Sequence, residues 1–563
     1  MKLTKISLLL ALGLLLSIFM VACSGDEGGD ETGSEGSEGE DTAAEEGGEV
    51  KQVLNLIEGD VIPSMDPQLS TDALAAVYIA DTMEGLYRKK DGEMTPGIAT
   101  DHKVSEDGLT WTFTLREDAK WANGDPVTAH DFVYAWQRGV DPDVGSAYGP
   151  YMMGGVVKNA TKVNEGELPV EDLGVKADGD YTFVVNLEKP TPYFLELAAF
   201  STFFPVNKKF AEEHGDKFST SSETLLSNGP FKLENWKSTS QEWSMVKNPD
   251  YWDAESVTLE EINFDVVKDP QVGVDLYEKG QVDRAGLSAD IVDQYASHDD
   301  FKVTPESSLF WLKFNQTTSD ALANVNIRKA ISKSFNKEAL VDEVLNDGSV
   351  AATGFIPEEF AAHPETEKDF REINGDLVTF DAEEAKELWE KGLEEIGKSK
   401  VTIEFLGQDG STSKLMNEYL ASQMEENLPG LTVELKQVPF EQKLELDSTM
   451  DYQIQFSGWL PDYQDPNTWL NLWVTDGGNN KMGYSNPEYD KLIKDANEKY
   501  IKDPVKRFEA FLAASKVLAE DAAIAPIYQS SRAQLISPKI QGVVLNATSP
   551  EYDYKWASVA PAE

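Results

Sequence analysis

The feature that most restricts how this 563-residue chain can fold lies between residues 380 and 529, where helix-like and strand-like stretches alternate. Val401 to Leu406 reads as a strand, Thr412 to Leu428 as a helix and Leu431 to Val438 as a second strand. Strands joined through a helix of this length pair in parallel by a right-handed crossover. Before this unit, Asp381 and Glu384 make a capping box. The helix they start places Ala385, Leu388, Trp389, Gly392 and Ile396 on one face. After it, Asp503-Pro504 opens a helix reaching about Glu520, and Ile524 to Tyr528 follows as a strand. The class is α/β, and the length exceeds what one core organises, so two or more packed units are expected.

The first half is richer in strands. Val53 to Leu56 reads as a strand and Val77 to Leu86 as a helix. Trp111 to Leu115 and Tyr181 to Leu187 alternate with period two and form a pair. Between them Asn123-Gly124 is a turn, Thr128 a helix cap, and Phe132, Val133 and Trp136 an apolar face.

Near the other end, Tyr452 to Phe456 alternates like a strand and then gives way to Ser457-Gly458-Trp459-Leu460-Pro461-Asp462-Tyr463-Gln464-Asp465-Pro466. Gly458 permits close approach of another backbone, and two prolines stiffen the exit. Asp462 stands between aromatics with no basic neighbour in sequence. A carboxylate so placed suits a cationic group such as an α-ammonium. The same residues also read as a turn with a solvated aspartate and two core aromatics.

The N-terminus is an export signal. Lys2 and Lys5 precede an apolar stretch, Ile6 to Phe19, too short for a membrane span. It closes at Met20-Val21-Ala22-Cys23, which resembles the lipobox of bacterial lipoproteins, and Cys23 is the only cysteine of the chain. Residues 1–23 are therefore expected to be a lipoprotein signal, with Cys23 the lipidation site. Residues 24–50 are rich in Gly, Ser, Glu and Asp and hold no Lys or Arg, so they form a disordered acidic tether. A mature chain without further thiols is stabilised by packing alone. Net charge is −51, and without the eleven acids of residues 24–49 and the two leader lysines the body keeps about −42. That charge favours solubility and opposes nucleic acid or flat contact with an anionic membrane.

Chemistry is sparsely signalled. Gly392 to Ser399 fits G-x-x-x-x-G-K-[ST], but it follows a helix and precedes a strand, the reverse of a phosphate loop. Gly397 then reads as the glycine past a helix end. The five histidines are scattered, no G-x-S-x-G elbow occurs, and neither a metal nor a cofactor is expected. Acidic residues are too abundant for counting to exclude a carboxylate-pair hydrolase. Asp141-Pro142-Asp143 and Asp465 read as solvated turns before calcium ligands.

G-W-x-x-D-Y-x-D-P at 458–466 and K-W-x-x-G-x-P-V-T-A-H-D-F-V-Y-x-W-Q-R at 120–138 resemble oligopeptide-binding lipoproteins, the family 5 solute receptors of peptide ABC importers. Ser227 to Leu233, Lys247 to Trp252 and Phe310 to Asn315 extend the likeness. The resemblance implies a two-lobed periplasmic-binding-protein-like α/β fold of the cluster C type, with an extra subdomain in the first lobe and two interlobe crossings. Lobe I would comprise 51–90, 213–312 and 529–563, the subdomain 91–212 and lobe II 313–528. It implies no enzymatic activity. An extended oligopeptide would be held between the lobes and passed to the permease subunits of an importer. Receptors narrowed to dipeptides, a pheromone or another small solute stand as the alternative, and a lipid-anchored hydrolase as a remoter one.

Carried onto this chain, the resemblance places the ligand's α-ammonium on Asp462. Backbone pairing falls to Gly458, Trp459 and Leu460 and to the stretch from Thr71 through Ala73 to Leu74. Tyr148 and Trp459 would wall the first side-chain pocket, with Phe440, Asn479, Trp311 and Tyr463 as further lining. Enteric members carry basic residues just before the Gly-Trp pair and in the preceding turn, where this chain has Phe456 and Ser448-Thr449-Met450. Lys313, at a position acidic in those members, is the substitute partner for the ligand's carboxylate. The mature protein is expected to be a monomer on the outer face of the cell membrane, tethered by its lipid in the Gram-positive manner.

Overall fold

The computed structural model describes residues 50–561, so the signal, Cys23 and nearly all of the tether lie outside the described residues. The body begins with Val53–Glu58, which pairs in parallel with Glu261–Val266. Glu242–Lys247 and Phe231–Glu234 extend that sheet antiparallel. Helix Ala73–Thr82 packs on it, with Tyr78 edge-on to Trp243 and Phe264. It starts four residues before the sequence expectation. The reason is the Asp72 cap, whose carboxylate accepts the Ala75 N–H at 2.8 Å.

A second four-stranded sheet joins Ala99–Val104, Thr110–Leu115, Thr182–Asn186 and Val175–Ala177, and contains the expected pair, with Thr112 opposite Val184. Helix Ala129–Val140 covers it, burying Phe132 and Trp136 against Phe183. At its start the Asp131 carboxylate accepts from the Thr128 N–H at 2.8 Å. The two sheets share one continuous apolar core, which forms the first lobe.

The largest sheet spans the molecule. Its strands run in the order Arg284–Leu287, Ile524–Ile536, Phe301–Phe314, Ile454–Trp459, Val401–Gln408, Leu431–Val438, with Val350–Ala351 paired to Ile524–Ile536. The last two are parallel and joined by helix Ser411–Asn427, as the alternation required. Helices Val325–Lys333, Ala382–Glu395 and Ser411–Asn427 enclose one core of the second lobe. A second core gathers Phe355, Trp469, Trp473, Tyr489, Phe508 and Phe511. Gly397 has φ +67° and follows the helix Ala382–Glu395, so the phosphate-loop look-alike is a helix end.

The chain crosses between lobes along Phe301–Phe314 and returns along Ile524–Ile536, and these strands pair with each other. Their ladder breaks between Pro305 and Leu309, where three residues face the single Ser530 of the partner strand. A second irregularity leaves Ile527 unmatched beside Pro526, which has no N–H to give a ladder. Side-chain bonds span the gap: Gln529 Nε2 donates to the Glu306 carbonyl at 3.0 Å and Ser530 Oγ to the Glu306 carboxylate at 2.7 Å.

Close backbone contact holds the helix Tyr148–Met153 in place. A β-carbon on Gly149 would lie 1.5 Å from the Gly139 carbonyl oxygen, whereas one on Gly59 would meet nothing within 4 Å. Gly149→Ala should therefore cost about 3 kcal/mol in denaturant unfolding, and Gly59→Ala no more than about 0.5 kcal/mol. Equal midpoints for the two variants would contradict this packing.

Candidate functional site

The strand Ile454–Trp459 is the spine of the site. It runs three residues beyond the point where alternation stops in the sequence, because Phe301–Phe314 pairs with it through Leu309 opposite Trp459. Its other edge meets Val401–Gln408 only at Ile454 and Gln455. Phe456 to Trp459 thus keep one edge without a strand partner among the described residues. At Gly458 the close neighbour is a ring, not a backbone. Phe310 lies where a β-carbon would come within 2.4 Å, and it stacks on Phe456 and Tyr528.

That edge borders a cavity of about 370 Å³ between the lobes. Thr71, Ala73 and Tyr148 of the first lobe reach it, as do Trp311 and Lys313 of the outgoing crossing strand and Gly458, Trp459, Leu460, Asp462, Phe440 and Asn479 of the second. Residues far apart in sequence are brought together here. Tyr463 is not among them: it is buried and stacks on Tyr193 at 4.6 Å. Tyr148 lies in a stack between Phe200 at 5.5 Å and Trp459 at 6.0 Å, with Tyr151 edge-on to both Tyr148 and Trp459. The buried indole N–H groups of Trp311 and Trp459 and the amide nitrogen of Asn479 have no acceptor among the described residues.

Asp462 is 2% exposed. Its N–H donates to Thr468 Oγ1 at 3.0 Å, and its carboxylate accepts weakly from Tyr151 at 3.3 Å and Thr468 at 3.5 Å. Lys89 approaches from beneath, but its ammonium binds the Asp462 carbonyl at 3.2 Å, Thr548 Oγ1 at 2.5 Å and the Ser549 carbonyl at 3.2 Å. Burial outweighs Lys89 and the two hydroxyls, and pushes the Asp462 carboxyl up to about 8. Asp465, in the same motif, is occupied structurally: Arg507 grips both its oxygens at 2.6 and 2.8 Å. Asn467 N–H donates to it at 2.9 Å, starting the short helix that carries Thr468.

Lys313 is buried and paired with Asp447 at 2.7 Å, and Gln455 donates to the same carboxylate. Sequence reasoning missed Lys89, Tyr151 and Thr468, which set the surroundings of Asp462, and also Lys443. It missed as well the cluster in which Arg532 meets Glu306 at 2.6 Å and Glu551 at 3.0 Å. Burial raises the Glu551 carboxyl to about 8. Lys89 lies 373 positions from Asp462, so only a long-range pairing signal could have linked them. Among the described residues no group of three or more His, Cys, Asp or Glu could hold a metal, and no helix is long and apolar enough to cross a membrane.

Two lobes joined by paired crossing strands, with an aromatic and charged cavity between them, define a receptor that closes on a solute. The family model of bacterial extracellular solute-binding proteins, family 5, matches residues 93–481, and the chain belongs to that family. It is a solute-binding protein. It is 34% identical over 526 residues to the dipeptide-binding protein of Lactococcus lactis, covering 91% of this chain and 95% of that one. It is 32% identical over 555 residues to the oligopeptide-binding protein OppA of Bacillus subtilis, covering 97% and 98%. The solved structure of Listeria monocytogenes OppA bound to peptide superposes with a TM-score of 0.88 at 41% identity, covering 91% of this chain and all of that one.

The Asp462 carboxyl titrates near 8 when folded and empty, against 3.8 ordinarily, so the folded protein retains a proton that the unfolded chain releases. Relative to Asp462→Asn, the stability of the ligand-free protein should fall as pH rises from about 4 to about 8 and level off above. Scanning calorimetry at pH 5 and pH 8 checks this, and parallel shifts in both proteins would refute it.

Proposed function

We propose that this protein is a lipid-anchored receptor that binds extended oligopeptides between its lobes and delivers them to the permease of an ABC importer. The observation that carries the reading is the open strand edge from Phe456 to Trp459 ending beside Asp462, a buried carboxylate with no cationic side chain paired to it. An extended peptide adding to that edge would satisfy main-chain groups without regard to sequence. Its α-ammonium would supply the charge that Asp462 lacks. Thr71 and Ala73 offer main-chain groups from the facing lobe, and the stack of Tyr148 with Trp459 bounds the first side-chain position. Relatives named for dipeptides and for oligopeptides support a peptide ligand.

Titration calorimetry with tri- and tetra-alanine tests the reading. The free peptides should bind with release of protons near pH 6, because Asp462 ionises on meeting the ammonium. Nα-acetylation or Asp462→Asn should each weaken binding roughly 10- to 100-fold. Recovery of shortened peptides would instead indicate a hydrolase, and binding indifferent to acetylation would remove Asp462 from the site. The lipid anchor rests on Cys23 alone: Cys23→Ser should release the protein from the cell membrane into the medium, with loss of the diacylglycerol mass by intact mass spectrometry.

A further inference from the structure

The cavity contains one buried positive charge that the protein does not answer. Helix Phe440–Ser448 forms part of the second-lobe wall, and Lys443 on it is 7% exposed. Its ammonium makes no hydrogen bond or ion pair within the protein among the described residues. The nearby carboxylate, Asp447, is taken by Lys313 at 2.7 Å and by the side-chain amide of Gln455. Lys313 and Asp447 cancel each other, and the charge of Lys443 remains. Of the other cations around the cavity, Arg532 is held between Glu306 and Glu551, and Lys481 is only part-buried. Burial lowers the Lys443 ammonium to about 8, with Asp447 opposing that shift and Lys313 adding to it. Leaving such a group unpaired is costly, and a ligand anion removes the cost.

We propose that Lys443 is the acceptor for a ligand carboxylate and forms, with Asp462, the second charged end of the cleft. The proposal rests on the peptide reading above and extends it to the far terminus. Its geometry follows from the strand. Lys313 and Asp447 lie at the level of Gln455, and Lys443 is one helical turn from Asp447. Trp459, from which the chain turns to Asp462, is four residues further along, a rise of about 13 Å. A peptide extended along the open edge from Asp462 therefore brings its α-carboxylate to Lys443 after roughly three to five residues, at about 3.4 Å each. In a longer peptide, the side chain of an Asp or Glu at that place presents the same group. Lys313 stays with Asp447 in this arrangement and positions the helix without contacting the ligand.

The test is calorimetric titration of wild type, Lys443→Met, Lys443→Arg and Lys481→Met with alanine peptides of two to six residues, as free acids and as C-terminal amides. In wild type and in Lys481→Met, amidation should weaken the best-fitting length roughly 10- to 100-fold. Lys443→Met should bind acid and amide alike, at the level of the wild-type amide, and Lys443→Arg should restore the difference. Amidated hexapeptides with Glu at the third to fifth place separate the two sources: dependence on Lys443 there alone assigns the site to a side chain. Amidation equally costly with and without Lys443, or costless throughout together with indifference to Glu, would overturn the proposal. Because Nα-acetylated peptides are run in parallel, that failure is distinguishable from failure of the peptide reading, in which no unmodified peptide would bind. Thermal midpoints of the Lys443 variants at or above wild type would exclude misfolding as the cause, since removing an unpaired buried charge does not destabilise.

Discussion

A carboxylate withdrawn from water without a cation of its own is the interaction on which the rest of this structure depends. Asp462 sits at the end of the central strand, 2% exposed, with only two long hydroxyl contacts to its oxygens. The surroundings could have neutralised it. Lys89 is close enough to do so, yet its ammonium is bound to the main-chain carbonyls of Asp462 and Ser549 and to the Thr548 hydroxyl. Burial instead holds its carboxyl up to about 8, so that the empty site keeps a proton at neutral pH.

Around that requirement the architecture is arranged in two halves that can part without tearing. The crossing strands pair along most of their length, yet lose register where three residues of one face Ser530 of the other. Side chains take over there, with Gln529 and Ser530 both donating to Glu306. Arg532 bridges Glu306, within the gap, and Glu551, near the end of the chain, so charge is concentrated where the ladder is weakest. The cleft wall is sorted by sign. Asp462 lies beside one end of the open edge, and Lys443, on the helix Phe440–Ser448, borders the same cavity.

Much of the fold was legible because it depends on local periodicity. The parallel strands Val401–Gln408 and Leu431–Val438, the capped helices after Asp381 and Asp503, and the pairing of Thr110–Leu115 with Thr182–Asn186 follow from spacing and caps. The helix Ala73–Thr82 was misplaced by four residues because an apolar run masked the stronger capping chemistry of Asp72. The end of the central strand was misread for the opposite reason. Gly, Trp and Pro look like a turn, but cross-strand bonding to Leu309 and Phe310 carries the extended backbone through Trp459. Within the site, Trp459 and Asp462 stood out together in the motif, whereas Tyr463 shared their signature and packs elsewhere.

The linear chain by itself determined the α/β class, the motif that bears Asp462 and the solitary thiol at Cys23, since periodicity, turn chemistry and composition act over short distances. Tertiary structure alone decided which charges are spent and which remain. Lys313 and Lys443 are both lysines near one aspartate, and nothing in their order shows that Asp447 answers the first and leaves the second. Asp462 and Lys89 are likewise separated by most of the chain, and the direction of the lysine's bonds, toward carbonyls and away from the carboxylate, exists only once two lobes have packed. Electrostatic pairing is a matter of ångströms in space, and sequence separation carries almost no information about it.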